Sequence, residues 1–416
     1  MADTIKITSL TLDGEGVGRL NEMAVFVFGT TVGDECEIEI TKQKKNFARA
    51  RAVKITKPSP YRTEPVCPAF GECGGCAMMN LDYYVGLRQK EEFIKNAIRR
   101  IGGFHDFELD KMNGCDNTFH YRNKAVFSVK NGEFGFYENK THSTVGVEEC
   151  FLCPKEFSDI AKAVSKIMQG RIFIRQGKNE IMVMLCPLNE IDKEKAISII
   201  TNASPSVTSI ILDQNRKKAL IFGKEQIETE IMNVSFDVSC ESFLQVNPEM
   251  TKKLYKKAIE YANIEKNSAV LDIYCGIGTI SLICAKEAKE VIGVEIVDEA
   301  IKNAKKNAEK NGIKNADFYA GKAEDVVPKL IGEGFSPDVV ILDPPRKGSD
   351  EKTLDAIIKA SPKRIVYVSC DPSTLARDLK YLCQNGYTLT AAEGFDMFPH
   401  TMHVECCVRL CRNDLL

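Results

Sequence analysis

The sequence predicts a multidomain α/β protein: a small β-barrel first, a strand-rich central part next, and a doubly wound α/β domain last. Three observations predict this. Short strand-like runs separated by glycine turns fill residues 1–60. Strand-like runs return over 118–240, and from about residue 241 apolar strand runs alternate with helical ones. The expected boundaries are therefore 1–60, 61–240 and 241–416. A chain of 416 residues, 44% of them hydrophobic, is long and apolar enough to build a core in each part.

In the first part, "TIKITSLTL", "MAVFVFGTT", "ECEIEITKQ" and "RARAVKIT" read as strands, with "DGEGVGR" as a turn. Their regular spacing suggests an OB-like barrel. No acid lies between Thr41 and Thr63, a stretch holding Lys42, Lys44, Lys45, Arg49, Arg51, Lys54, Lys57 and Arg62 with Phe47 and Tyr61 interleaved. Such a strip is either a solvated strand face or a surface for an RNA backbone. The formal net charge of −2 rules out a protein that is basic as a whole. No apolar run reaches the roughly 18 residues of a membrane span. "MADTIKITSL" has no apolar signal core, so a cytoplasmic location without a membrane partner is expected.

The central part opens on "CPAFGECGGC", residues 67–76. Sixteen cysteines are many for a reducing compartment, where clustered ones are more often metal ligands than disulfides. Zinc prefers paired C-x2-C units, here Cys73 with Cys76 and Cys150 with Cys153, which leaves Cys67 unused. An iron–sulfur cluster would use Cys67, Cys73 and Cys76 plus one distant cysteine. Spacing alone leaves the two open. "GLRQKEEFIKNAIRRIGGF" follows, with Leu87, Phe93, Ile94, Ala97, Ile98 and Ile101 on one helical face. In "AVFSVKNGEFGFY", Asn131-Gly132 predicts a type I′ hairpin. Ahead of it, Tyr121, Arg122 and Lys124 are either RNA contacts or an ordinary strand end.

In the last part, "SAVLDIY", "EVIGVEIV", "DVVILDPP", "RIVYVSC" and "MHVECCVRL" read as strands. Ligands on parallel sheets of this kind bind beyond the carboxyl ends of the strands. "LDIYCGIGT" runs a strand into G-x-G, and Glu295 ends the next strand, where a carboxylate can grip ribose hydroxyls. Ser281 stands where a dinucleotide fingerprint has Gly or Ala, and Asp272 precedes the turn. Both favour S-adenosylmethionine over NAD. "LDPPRKG" puts Asp343 at another strand end, and Arg346 occupies the place where methylases of amino groups carry an aromatic residue.

"VYVSCDPSTLARD" places Cys370 between a strand and a helix, where the helix N-terminus favours thiolate. A thiolate beside a methyl donor suggests attack on C6 of uracil. This activates C5 as a nucleophile and calls for a base to remove the C5 proton. Glu405 in "FPHTMHVECC" is the candidate base, with His400 and His403 nearby.

These stretches, with "SFLQVN" and "GEGVGR", resemble the uracil-5 RNA methyltransferase family, and specifically its 23S ribosomal RNA branch. The resemblance implies an N-terminal TRAM barrel, a cluster-bearing central domain, and a Rossmann-like class I methyltransferase domain. It implies Cys370 as nucleophile, Glu405 as base, and Gln245, Tyr274, Thr279, Glu295 and Asp343 around S-adenosylmethionine. The family often has Phe at the place of Tyr274 and Asn at that of Thr279. It also implies a [4Fe–4S] cluster on Cys67, Cys73, Cys76 and one later cysteine, Cys150 by its place after the hairpin, with Cys153 as the rival. The helix near 85–103 would pack on the catalytic domain. RNA is the expected partner, DNA is not, and a monomer is expected. A cytosine-5 DNA methyltransferase would carry Pro-Cys, whereas Cys370 follows Ser369. A tRNA-specific relative would lack the barrel and the cysteine loop. A non-enzymatic iron–sulfur RNA-binding protein would not need Cys370 and Glu405 together.

Overall fold

The structure is a computed structural model and describes residues 3–138, 141, 143–215 and 217–416. Residues 3–57 form a six-stranded sheet in which Asp3–Lys6 pairs with Glu35–Gln43, and Met23–Phe28 with Phe47–Lys57. Alternate residues (Ile5, Val25, Val27, Cys36, Ile38, Ala48, Ala50) point inward and fill its core. A Cβ on Gly16 would lie 2.1 Å from Thr30 Oγ1, so the glycine of "GEGVGR" allows close packing of backbone on its neighbours. The basic strip is partly neutralised by acids that its own stretch lacks. Arg49 meets Glu15 at 3.0 Å, Arg51 meets Glu39 at 2.5 Å, and Arg62 meets the buried Asp34 at 2.8 Å. Lys42, Lys44, Lys45 and Lys54 stay exposed.

The central sheet has seven strands spanning Lys124 to Gly223, and the Asn131-Gly132 turn joins two of them with both φ angles positive, 53° and 81°. Its two faces separate by alternation. Val183 and Leu185 pack under the helices Lys155–Ser165 and Lys193–Ala203. Met182 and Met184 turn the other way, into the core of the C-terminal domain. The two parts therefore share a packed boundary rather than a loose hinge.

The C-terminal sheet has eight strands, in the order Ala316–Ala320, Glu290–Glu295, Ala269–Ile273, Val339–Leu342, Arg364–Ser369, Glu405–Arg412, Tyr387–Phe395, Lys111–Asn113. The first five are parallel, as the β/α alternation predicts. Glu405–Arg412 departs from that pattern and runs antiparallel to both of its neighbours. The edge strand Lys111–Asn113 comes from far earlier in the chain and pairs parallel with Tyr387–Phe395. The helix Tyr83–Arg100, capped by Asp82 accepting from the Val85 N–H at 3.1 Å, joins the same domain. Its Ile94, Ala97 and Ile98 share a core with Leu375 and Leu379 of the helix Pro372–Gln384. Residues 83–113 thus build onto the C-terminal sheet. No helix among the described residues is long and apolar enough to cross a membrane.

A buried ion pair ties this early helix to the late strands. Lys90 Nζ lies 2.5 Å from Asp396 Oδ1, with the two side chains only 2% and 1% exposed, and it donates to the Phe398 carbonyl at 3.0 Å. Removing one partner strands the other charge in the core. Lys90→Met is expected to cost about 3–5 kcal/mol, read as a lower urea midpoint. Lys90→Met with Asp396→Leu should recover most of that loss. A single variant as stable as the parent would show that the pair does not anchor the helix.

Candidate active site

The singled-out residues of the last domain gather where its strands end. Tyr274 follows Ala269–Ile273, Glu295 ends the next strand, Asp343 follows Val339–Leu342, and Cys370 follows Arg364–Ser369. The antiparallel strand brings in the last member. Ser369 pairs with Cys406, so Glu405 begins its strand beside the point where Cys370 leaves its own. The carboxyl groups of Glu405 and Asp343 and the guanidinium of Arg346 all bear electrostatically on the Cys370 thiol.

The electrostatics overturn one expectation. Burial, followed by the charges of Glu405 and Asp343, pushes the Cys370 thiol up to about 11, while Arg346 opposes the shift. Burial and the neighbouring acids thus outweigh the helix N-terminus that was expected to favour thiolate. The Asp371 carboxylate caps that helix, accepting from the N–H groups of Ser373 at 2.8 Å and Thr374 at 3.1 Å. Burial likewise raises Asp343 to about 7, with Asp272 adding to it. Glu405, 2% exposed, is raised well above the usual carboxylate range by burial and then by Asp343, and its Oε2 has no hydrogen-bond partner. The site is rich in acids that burial holds toward their neutral forms.

The strand-end loops are rigidly held. Tyr274 sits at φ 70°, a strained conformation for a tyrosine, and its hydroxyl is 3.1 Å from Ser349 Oγ. Glu295 accepts from the N–H groups of Gly276 at 3.2 Å and Val297 at 3.0 Å, which aims its carboxylate at the G-x-G turn. Gln245 and Thr279 are buried, and Thr279 Oγ1 lies 3.4 Å from the Tyr255 hydroxyl. The acid before the turn gains a tether, and a second acid escaped the reading of the sequence. Asp272, raised by burial to about 6, accepts from Ser281 Oγ at 2.5 Å, so the serine that breaks the dinucleotide fingerprint tethers the acid before the turn. Asp378 of "STLARD" accepts from the Tyr367 hydroxyl at 2.6 Å and the Ser349 N–H at 2.9 Å, pinning the loop after Asp343. An acid on the apolar face of a predicted helix was the signal available for it.

The segment leading into Glu405 is clamped from several directions. The Asp396 N–H donates to Asn113 O, Asn247 Nδ2 to Met397 O, the Tyr121 hydroxyl to Pro399 O, and the N–H groups of Ala77 and Met78 to His400 O. His400 has φ 63° and stacks on Phe119 with ring centroids 4.4 Å apart. Tyr121 is thus buried in a structural role and is no RNA contact. The exposed His403 lies 3.3 Å from Arg346 Nη2.

The cysteine loop lies next to this clamp. Cys67, Cys73, Cys76, Cys150 and Cys153 line one cavity of about 430 Å³, with Arg122 and Lys124 on its wall. All sixteen cysteines are free thiols. Among the described residues, no group of three or more His, Cys, Asp or Glu side chains converges as ligands of a metal ion, so the expected centre is not seen as a closed ligand set. Cys150 and Cys153 differ within the cavity. A hydrogen bond between their thiols lowers the pKa of Cys150 and raises that of the fully buried Cys153.

A doubly wound sheet with acids and a cysteine at its strand ends, joined to a small β-barrel, defines a methyltransferase of the S-adenosylmethionine type with an appended nucleic-acid-binding module. Comparison with known proteins agrees. A TRAM domain model matches residues 4–53, and a model described as tRNA (uracil-5-)-methyltransferase matches residues 82–413. The chain belongs to the tRNA (uracil-5-)-methyltransferase family and is an S-adenosylmethionine-dependent RNA methyltransferase. An uncharacterized RNA methyltransferase of Bacillus cereus is 41% identical over 97% of this chain and 95% of its own. One from Clostridium tetani is 37% identical over 96% and 94%. The crystal structure of the Pyrococcus abyssi tRNA (uracil-54, C5)-methyltransferase in complex with S-adenosyl-L-homocysteine has a TM-score of 0.78 and 26% identity, covering 99% of this chain and 100% of that one. That full-length match to a tRNA enzyme removes the N-terminal barrel as a mark separating rRNA from tRNA relatives.

The elevated thiol gives a direct test. Alkylation of Cys370 by iodoacetamide in the free protein should rise about tenfold per pH unit through the neutral range, since only thiolate reacts, and level off only near pH 11. Mass spectrometry of the Cys370 peptide measures it. A rate already flat by mildly alkaline pH would show a preformed thiolate.

Proposed function

We propose that the protein transfers a methyl group from S-adenosylmethionine to C5 of a uridine in RNA through a covalent adduct between Cys370 and C6 of the base. The observation that carries this is the register of Glu405 against Cys370, which places a buried acid with a free oxygen beside a thiol at the end of a strand. Gln245, Tyr274, Thr279, Glu295 and Asp343 would hold the cofactor, and the acids among them, which form no ion pair among the described residues, suit a positively charged ligand. When bound, S-adenosylmethionine supplies the methyl group on a sulfonium sulfur carrying a full positive charge.

In that field Cys370, Glu405 and Asp343 shift toward their charged forms. Cys370 gives its thiol proton to solvent, Sγ adds to C6 as thiolate, and the C5–C6 electron pair moves onto C5 and the neighbouring carbonyl. C5 takes the methyl group as the sulfonium's carbon–sulfur bond breaks, its electron pair staying on sulfur as a neutral thioether. Glu405 accepts the C5 proton, the C5–C6 double bond re-forms, and the thiolate leaves. The uridine must be unstacked for C5 and C6 to be reached, so the target lies in a loop or is extruded from a helix.

For the RNA, 23S rRNA is the first reading, on the motifs shared with that branch. The full-length likeness to a tRNA methyltransferase favours tRNA as the second. A [4Fe–4S] cluster held by Cys67, Cys73, Cys76 and Cys150 is part of the proposal. These four thiols, from two chain segments, border one cavity, with Cys150 taken as the fourth by its place after the hairpin and Cys153, in the same cavity, as the rival. Methyl transfer by this route is redox-neutral, so the cluster's role is structural. It would fix the segment whose Ala77 and Met78 hold His400.

Four outcomes are expected. Cys370→Ala abolishes adduct and product, while Glu405→Gln accumulates a covalent protein–RNA species on denaturing gels. An active Cys370→Ala enzyme would remove the nucleophile. Mapping 5-methyluridine in rRNA and tRNA from cells with and without the protein assigns the substrate, and no change in either would defeat both readings. Cys73→Ser should lose iron and sulfide from anaerobically purified protein and lower its melting temperature. A variant that folds, binds RNA and methylates normally would end the structural role.

A further inference from the structure

A second cavity, of about 440 Å³, opens where three parts of the chain meet. Phe28 and Thr30 come from the barrel, Phe70 and Asn80 from the cysteine segment, and Thr401 and His403 from the catalytic loop. The walls are in firm contact, since a Cβ on Gly14 of the barrel turn would lie 2.8 Å from Ala77 Cβ. His403 is two residues ahead of Glu405, and its ring touches Arg346, whose charge reaches Cys370 and Glu405. The cavity is therefore next to the reacting centre and distinct from the strand-end pocket.

Its chemistry selects a base over a phosphate. Among the described lining residues the guanidinium of Arg62 is already tied to Asp34 at 2.8 Å, and Asp13 contributes a negative charge. Phe28 is 53% exposed at the end of its strand, and His403 is exposed as well, so two flat rings are open to solvent. Asn80 adds an amide that can both donate and accept toward a base edge. The exposed lysines of the neighbouring strand, Lys42, Lys44, Lys45 and Lys54, are left to meet the backbone. The volume falls in the range of sites that take a small organic ligand.

We propose that this cavity receives the unstacked base of a nucleotide flanking the target uridine, with Phe28 as its stacking platform. The inference rests on the uridine-methylation reading above. One base in this cavity while its neighbour reaches Cys370 would spread the strand and keep the target uridine out of its own stack.

The test uses the full-length protein, S-adenosylmethionine and short single-stranded RNAs of mixed sequence. Each RNA carries one central 5-fluorouridine and an abasic ribose at one flanking position at a time. Fluorine at C5 cannot leave as a proton does, so the adduct stays trapped and is read on denaturing gels. For the parent protein, one flanking position should stand out, with an abasic ribose there weakening half-maximal trapping about tenfold, the scale of a lost aromatic–base stack. Phe28→Ala should show a similar loss with intact RNA and no further loss at that position. Its S-adenosylmethionine binding should stay unchanged, as should its final adduct yield at saturating RNA. Asn80→Ala should weaken trapping at the same position. Equal sensitivity at every position, or a Phe28→Ala protein as sensitive as the parent, would overturn the inference and leave the function standing. A parent protein that traps none of these RNAs, abasic or intact, would defeat the uridine-methylation reading itself.

Discussion

Everything about the site depends on where the segment from Asp396 to Glu405 is held, and that is fixed by one buried charge. Lys90 reaches across the domain to Asp396 and to the Phe398 carbonyl. With the Lys90 charge in place, Asp396 can be buried at the foot of the loop, and the loop can follow its strained path through His400. The hydrogen bonds with Asn113, Tyr121, Asn247, Ala77 and Met78 then act on a loop that already has an anchor. A buried ion pair is weak evidence for net stability, and here its effect is positional. It makes the place of Glu405 a property of three distant segments at once.

The second theme is charge held back. Asp272, Asp343, Glu405 and Cys370 all sit where burial opposes ionisation. A cluster of acids with few cations is costly in a resting protein, and protonation relieves it. A cationic ligand relieves it differently, by making the ionised forms the favoured ones. On the proposed reaction, the burial that holds the Cys370 thiol up in the free protein would tie its ionisation to the arrival of a cationic cofactor. It also protects a cysteine that would otherwise be open to oxidants.

Much of this was legible in the sequence, and the boundary of legibility is physical. Local patterns carried far: the β/α alternation, the Asn-Gly hairpin, and the habit of placing chemistry at strand ends that put Cys370, Glu295 and Asp343 together. What failed to show was set by residues far apart in the chain. Nothing in "MHVECCVRL" says that it runs antiparallel, yet that direction is what brings Glu405 to Cys370. Three residues, Lys111–Asn113, have no period to reveal an edge strand. The stretch without acids after Thr41 reads as fully basic until Glu15, Asp34 and Glu39 are seen to neutralise it from neighbouring segments. The cysteine at a helix N-terminus reads as a thiolate until its burial beside Glu405 and Asp343 is seen. In each case the local signal was sound and a partner outside the window decided the result.

The edge strand Lys111–Asn113 has a consequence for how the chain comes to be folded. Its partner, Tyr387–Phe395, and the partner of Lys90, which lies 306 residues away, are made far later than the segments they hold. A chain is built from its N-terminus, and domains tend to close in that order. The barrel and the central sheet can do so, because each pairs within itself. Helix Tyr83–Arg100 and its following strand cannot. They must wait, with an apolar face and a lysine unpartnered, while some three hundred further residues are made. The central sheet is in this sense an insertion that folds inside an unfinished domain. The methyltransferase part cannot be a unit that was simply joined on at the end.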